Sequence, residues 1–315
     1  MLVKPEELLN PYYHFMVVGP YKSGKTQSLA SLYWWYRNRV RSGIKLPDGS
    51  PTEVPTQLWH FDLDRDGSVP LVRIAQYGTA NGVTPSIPGG WLSDLRVYKY
   101  RVKGDFGKIG ETDAPKRTTA IFDQFITDFN SLYDLLDPRT GYWRDPKSAP
   151  GIIVIDGATR LEEIITDFIA ATRNRELNSA DASERARFAD WGAIKDKEVE
   201  IVESAINLPA HFVYCVHDEL REKQVQAAPL ITQDGKEIPK TIGTGDIFVM
   251  PALTGQLRDT MGAKFTAVLW SRNEGSSYYW MIQPQQEGAA KIRGAGTRTK
   301  DGLGGRIPQD FRLIL

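Results

Sequence analysis

Residues 14–26 read His-Phe-Met-Val-Val-Gly-Pro-Tyr-Lys-Ser-Gly-Lys-Thr. The opening run is apolar and partly β-branched, and it stops at a glycine. That pattern predicts a short strand buried on both faces, as in a parallel sheet. Behind it, residues 26–40 carry Leu29, Leu32, Tyr33 and Tyr36 at helical spacing. A strand, a tight turn and a helix open an α/β fold.

The turn itself, 19–26, fits G-x-x-x-x-G-K-[ST]. Each part has a chemical reason. Two glycines let successive backbone N–H groups curl inward, and the start of the helix adds its positive dipole end. Lys25 is then placed to reach terminal phosphates, and the Thr26 hydroxyl to ligate Mg²⁺. Gly19, Pro20, Tyr21, Lys22, Ser23, Gly24, Lys25, Thr26 and Gln27 form the candidate nucleotide-binding set. A glycine turn with no ligand is the competing explanation, but it gives no reason for Lys25 and Thr26.

Working outward, three more strand ends carry polar residues. Residues 57–64 (QLWHFDLD) end in Asp62 and Asp64, which on a strand share one face. Residues 151–155 (GIIVI) are the strongest buried-strand signal, and Asp156 follows them where a Walker B carboxylate must sit. Residues 211–216 (HFVYCV) lead into His217 and Asp218. In a parallel sheet the carboxyl ends of the strands line one crevice. Asp156 is therefore the candidate Mg²⁺ residue with Thr26, acting mainly through a bound water. Lys25, Asp64 and His217 are the candidate catalytic residues.

The remainder fills in around this frame. Residues 78–92 read as loop and 95–102 as an edge strand. Residues 117–136 are amphipathic, with Phe122, Phe125, Phe129 and Leu132 on one face. Residues 161–173 and 188–206 read as helices, and 219–246 as a mobile loop or hairpin. Residues 262–270 and 277–282 read as two strands joined by a turn. The 131 residues from Lys25 to Asp156 leave room for an insertion at about 78–118. The tail at 291–315 is basic and glycine-rich.

Composition sets outer bounds. The 315 residues are 41% hydrophobic, 25% charged and 10% aromatic, which fits a single folded domain spanning 1–315 rather than a disordered or fibrous chain. No apolar run reaches the roughly 20 residues a bilayer span needs, so no membrane partner is expected. A lone Cys215 and the absence of a signal-peptide pattern point to a cytoplasmic location, and Cys215 itself reads as core. The 39 basic and 39 acidic residues cancel, so nucleic-acid binding would have to come from local basic loops. Four scattered histidines and one cysteine offer no zinc-type cluster.

Taken in order, GPYKSGKT at 19–26, FDLD at 61–64, IIVIDGATRL at 152–161 and CVHDE at 215–219 resemble the RecA-like ATPase core. More narrowly, the chain is similar to phage RecA-like nucleotide-binding proteins, including single-strand-annealing ATPases. The stretch 188–219 is especially similar, and the resemblance covers about residues 12–310. It implies an α/β RecA-like P-loop NTPase core with a mostly parallel central sheet flanked by helices, an insertion and a C-terminal β-hairpin. It implies ATP and Mg²⁺ as ligands, hydrolysis as the reaction, and the host cytoplasm as location if the chain is phage-encoded. Asp64 falls where recombinases place a catalytic glutamate, one methylene shorter here. His217 falls where they place a glutamine that senses the γ-phosphate. Two DNA-binding loops of the pattern correspond to 174–188, with Arg175, Arg185 and Arg187, and to 219–246, with Arg221, Lys223, Lys236 and Lys240. Residues 291–300 fall where related filaments send a basic residue into a neighbour's nucleotide. Single-stranded DNA and a homo-oligomeric ring or filament are thus the implied partners, in recombination, annealing or repair. Two alternatives remain open: a P-loop motor or switch acting on a protein in phage assembly or packaging, and a small-molecule kinase.

Overall fold

The computed structural model describes residues 12–41, 55–64, 67–79, 86–100, 114–172, 188–231, 237–275, 277–281 and 306–315. Eight strands form one sheet: β1 (His14–Val18), β2 (Gln57–Asp62), β3 (Leu95–Lys99), β4 (Pro150–Asp156), β5 (His211–Val216), β8 (Ala267–Glu274), β9 (Ser277–Met281) and β10 (Arg306–Pro308). Their order across the sheet is β10-β9-β8-β1-β5-β4-β2-β3. All neighbours from β8 to β3 are parallel, and only β8/β9 and β9/β10 are antiparallel. The fold is a mixed α/β architecture with a large, mostly parallel central sheet.

Strand alternation sends side chains to both faces. On β1, Met16 and Val18 join one core while Phe15 and Val17 join the other. On β4, Ile153 and Ile155 face the first core and Ile152 and Val154 the second. Every residue of both strands is buried, which explains their continuous apolar runs. Helices α1 (Lys25–Arg41) and α2 (Ser68–Tyr77) cover one face through Leu29, Leu32, Leu71 and Ile74. Helices α3 (Ala114–Asp134), α4 (Ala158–Thr172), α5 (Phe188–Ile206) and α6 (Gly255–Thr260) cover the other, led by Phe125, Ile164, Ile201 and Leu257. Among the described residues, no helix is long and apolar enough to cross a membrane.

Several expectations meet the structure directly. The edge strand read at 95–102 is β3, paired only with β2. Over its described residues the stretch 219–246 is a hairpin: β6 (Asp218–Ile231) and β7 (Glu237–Pro251) pair antiparallel as a separate two-stranded sheet, while 232–236, with Lys236, fall outside the described residues. Its register shifts between Glu222 and Gln224 and again between Ala227 and Leu230.

The span 78–118 is woven into the domain over its described residues. Trp91 is fully buried and stacks on Tyr33 of α1 with ring centroids 4.1 Å apart. The backbone N–H groups of Gly90 and Trp91 both donate to the Ala75 carbonyl. The Tyr33 hydroxyl donates to Asp94, and β3 extends the sheet. Residues 80–85, 101–113, 173–187 and 282–305 fall outside the described residues. The first basic loop up to residue 187 and residues 291–305 of the basic tail lie there.

Candidate functional site

Strands β1, β5, β4 and β2 run side by side in the same direction, so their carboxyl ends meet at one edge. The order has a further consequence. β5 lies between β1 and β4, so the residue that follows β5 falls between the glycine-rich turn and Asp156. That residue is His217. The cleft at this edge has a volume of about 270 Å³. Lys22 to Gln27, Asp64, Asp156 and His217 line it, together with Tyr21, Gly67, Pro70 and Tyr278.

The turn is shaped by two different glycine requirements. Gly24 sits at φ +88°, in the left-handed region that glycine adopts without strain. Gly19 is needed for closeness: a Cβ there would lie 2.5 Å from the Ser271 carbonyl oxygen on β8. Lys22 also has positive φ, at 63°. The N–H of Gly19 donates to the Val216 carbonyl at 3.1 Å and that of Ser23 to the Pro20 carbonyl at 3.2 Å. The first turn of α1 leaves its own N–H groups without helical partners, as at any helix start. These groups stand at the cleft.

Lys25 is 7% exposed despite its charge. Its ammonium donates to the carbonyls of Gly19 at 2.8 Å and Pro20 at 3.0 Å, and His217 Nδ1 lies 3.5 Å away. On the other side of the cleft, the Thr26 hydroxyl donates to Asp156 Oδ2 at 2.6 Å. The two residues read as the Mg²⁺ pair are therefore in contact across 130 positions of sequence. Burial alone would push the Asp156 carboxyl up. The hydrogen bond and charge of His60, then the Thr26 hydroxyl and the Lys25 ammonium, reverse this and hold it below its ordinary value. Asp156 is thus an ionised carboxylate beside a hydroxyl, a donor set that suits a hard divalent cation. No group of three or more His, Cys, Asp or Glu side chains that could hold a metal exists among the described residues. A Mg²⁺ ion here would complete its shell with water and phosphate oxygens, as is usual for that ion.

The two aspartates of 57–64 do different things. β2 ends at Asp62, so Asp64 lies past the strand and the expected shared face does not hold. Asp62 Oδ2 accepts the Ser68 backbone N–H at 2.9 Å, which caps the start of α2. Burial pushes its carboxyl up. Asp64 instead turns into the cleft, and its Oδ2 lies 3.1 Å from His217 Nε2. Asp218 pairs with Arg272 at 2.8 Å. Cys215 is buried core, and burial drives its thiol well above the ordinary range.

Three residues of the site escaped the sequence reading. His60 is fully buried on β2, with Nε2 3.2 Å from Asp156 Oδ2. A signal existed: it is a polar residue inside an otherwise apolar strand end. Gln309 is buried beneath the turn, and its amide nitrogen lies 2.8 Å from the Ser23 carbonyl, 2.7 Å from Ser271 Oγ and 3.1 Å from the Tyr279 carbonyl. Tyr278 forms part of the cleft wall. For these last two no local signal exists, because Gln309 meets Ser23 across 286 positions of sequence and Tyr278 is likewise remote from the turn. In comparisons with known proteins, the chain matches no family model and no curated protein.

Proposed function

We propose that the chain binds ATP with Mg²⁺ at this cleft and hydrolyses it, as a RecA-like P-loop ATPase acting on single-stranded DNA. The observation that carries the reading is the meeting of five residues in one cleft. Lys25, Thr26, Asp64, Asp156 and His217 come from four separate strand ends, and all line it. A phosphate-binding turn alone needs none of the last three.

The roles follow from chemistry. The N–H groups of the turn and the first turn of α1 bind phosphate oxygens. Lys25 supplies a positive charge that leaves its carbonyl partners for a better one. Thr26 and Asp156 would hold Mg²⁺, which neutralises charge on the transferring phosphoryl. His60 keeps Asp156 ionised and oriented. The Asp64–His217 pair stands where an attacking water must be handled.

DNA enters through the hairpin. β6 begins at Asp218, the residue after His217, so hairpin and site share a root. Asp218 is tied to Arg272, and Glu219 to Arg258 at 3.0 Å. The hairpin sequence carries Arg221, Lys223, Lys236 and Lys240, charges suited to a phosphate backbone. A homo-oligomer belongs to the same reading.

The test is ATP hydrolysis with and without single-stranded DNA at low salt, with Lys25→Ala as control. DNA-stimulated turnover that is lost in Lys25→Ala supports the reading. Near-native turnover in Lys25→Ala refutes it. Single-strand binding through about six phosphates should weaken about 300-fold between 50 and 200 mM salt. Hydrolysis indifferent to DNA would move the reading to a protein partner.

A further inference from the structure

Asp64 and His217 are in contact, and that contact divides their labour. His217 Nε2 lies 3.1 Å from Asp64 Oδ2, and His217 Nδ1 lies 3.5 Å from the Lys25 ammonium. An ammonium only donates, and an ionised carboxylate only accepts. Both neighbours therefore demand one tautomer of the neutral ring: the proton on Nε2, donated to Asp64, and the lone pair on Nδ1, facing Lys25. Asp64 lines the cleft, but both of its carboxylate oxygens already have near neighbours. Its Oδ2 is engaged by His217. Its Oδ1 packs against the backbone of Gly157, where a Cβ would lie only 2.7 Å from it. Gly157 is at φ +103°, which brings the chain to that spot.

We propose that His217, through Nδ1, takes the proton of the attacking water, that Asp64 is the residue that positions it, and that Lys25 covers Nδ1 until phosphate draws its ammonium away. The inference rests on the ATP-hydrolysis reading above and deepens it. The water oxygen bonds to the γ-phosphorus as the bond from that phosphorus to the bridging oxygen breaks. The electron pair of that bond leaves with the diphosphate, and the water proton passes to Nδ1. Asp64 stabilises the resulting imidazolium by its charge and keeps the ring aimed, as the orienting carboxylate does in any acid–histidine pair.

The other charged groups around the ring are already matched. Asp156 is held by Thr26 and His60, and Asp218 by Arg272 of β8. Tyr21 is a further titratable neighbour, with its ring centroid 6.4 Å from that of His217, and Lys22 and Tyr278 line the same cleft. That leaves Asp64 and Lys25 to govern Nδ1 and Nε2. The arrangement also couples proton acceptance to occupancy. The ammonium has three N–H groups, now shared among the Gly19 and Pro20 carbonyls and Nδ1, and a phosphate that draws it off Nδ1 frees that lone pair.

The first measurement needs no nucleotide. Long-range ¹⁵N NMR of the full chain at pH 8 reads the histidine tautomers, with the His217 signals identified by their loss in His217→Gln. The Nε2–H form is expected, and it should lose its dominance in Asp64→Asn, whose amide can donate to Nε2. A dominant Nδ1–H form in the wild-type chain overturns the proposal. The second is single-turnover hydrolysis from pH 5 to 9 beside fluorescent-nucleotide binding. Glutamine keeps the polar reach of histidine but takes no proton. His217→Gln should lose about 10²–10⁴-fold in rate while nucleotide affinity stays within about threefold. The acid limb of the wild-type rate profile should vanish in the variant. A variant rate within about threefold of wild type, or an acid limb that persists in the variant, overturns the proposal and leaves ATP hydrolysis standing. Failure of the wild-type chain to bind nucleotide overturns the underlying reading and this one with it. His217→Asn serves the same test if His217→Gln does not fold.

Discussion

Gln309 is the least expected residue of the site and offers the sharpest test of how the turn is held. Its amide nitrogen lies within 3.1 Å of the Ser23 carbonyl, Ser271 Oγ and the Tyr279 carbonyl, with the Arg272 carbonyl at 3.4 Å. Four oxygens around one atom fix that atom as the donor. An amide nitrogen has two N–H groups, so about two good bonds are shared among four acceptors. Gln309→Ala removes both and leaves buried acceptors unmatched. At about 1 kcal/mol net per bond, rising to 1–3 where a buried partner stays unsatisfied, the expected loss is about 2–4 kcal/mol. For a chain of this size that lowers Tm by about 3–6 °C. Gln309→Glu is the stricter variant. It keeps the shape but points a carboxylate oxygen at four oxygens, so it should be less stable than Gln309→Ala at pH 8. Protonation restores one O–H donor. The carboxyl is held above its unfolded value, so stability is retained below the ordinary carboxyl range and lost as pH rises. The deficit of Gln309→Glu should therefore shrink at pH 5. Calorimetry at both pH values decides this. A Tm change under about 2 °C in Gln309→Ala, or equal stability of the two variants at pH 8, would show that the amide does not hold the turn.

Three further outcomes follow from the same geometry. Gly24→Ala forces a side chain into the left-handed region, with contacts at 2.6 Å to Gln309 and 2.7 Å to Tyr278; a strain of about 1–2 kcal/mol should lower nucleotide affinity at least tenfold, measured by fluorescence titration, and retained affinity would refute it. His60→Leu removes the partner of Asp156 and should weaken Mg²⁺ dependence of nucleotide binding by about 10–100-fold, read by Mg²⁺ titration; an unchanged midpoint would argue that His60 only fills space. Glu198 is fully buried on α5 and receives the Tyr214 hydroxyl at 2.5 Å, and burial, then the Glu162 carboxylate nearby, push its carboxyl up. A raised carboxyl contributes stability below the ordinary carboxyl range that is lost as pH climbs to the raised value, so Glu198→Gln should melt higher than wild type at pH 8 and gain less at pH 5. Each tenfold in an ionisation equilibrium is about 1.4 kcal/mol, so the gain at pH 8 should be about 3 °C or more; equal melting at both pH values would sink the idea.

The parallel strands were legible because burial on both faces leaves an uninterrupted apolar run, and GIIVI at 151–155 has no other use. The phosphate turn was legible because its chemistry is local: glycines, lysine and threonine act within eight residues of one another. Asp156 and His217 could be placed for a related reason, since a residue that ends a parallel strand lies at the carboxyl edge whatever its neighbours are.

What the sequence could not decide was adjacency across the sheet. Strand order puts β5 between β1 and β4, and only that order brings His217 to Lys25 on one side and to Asp64 on the other. Asp62 and Asp64 looked equivalent because strand periodicity says nothing about where a strand stops. The chain leaves β2 at Asp62, one carboxylate caps α2, and the other reaches the cleft. Gln309 and Tyr278 were invisible for the plainest reason. Their contacts with the turn join the two ends of the chain, and pattern within a short window carries no trace of a pairing that exists only once the sheet has closed around both.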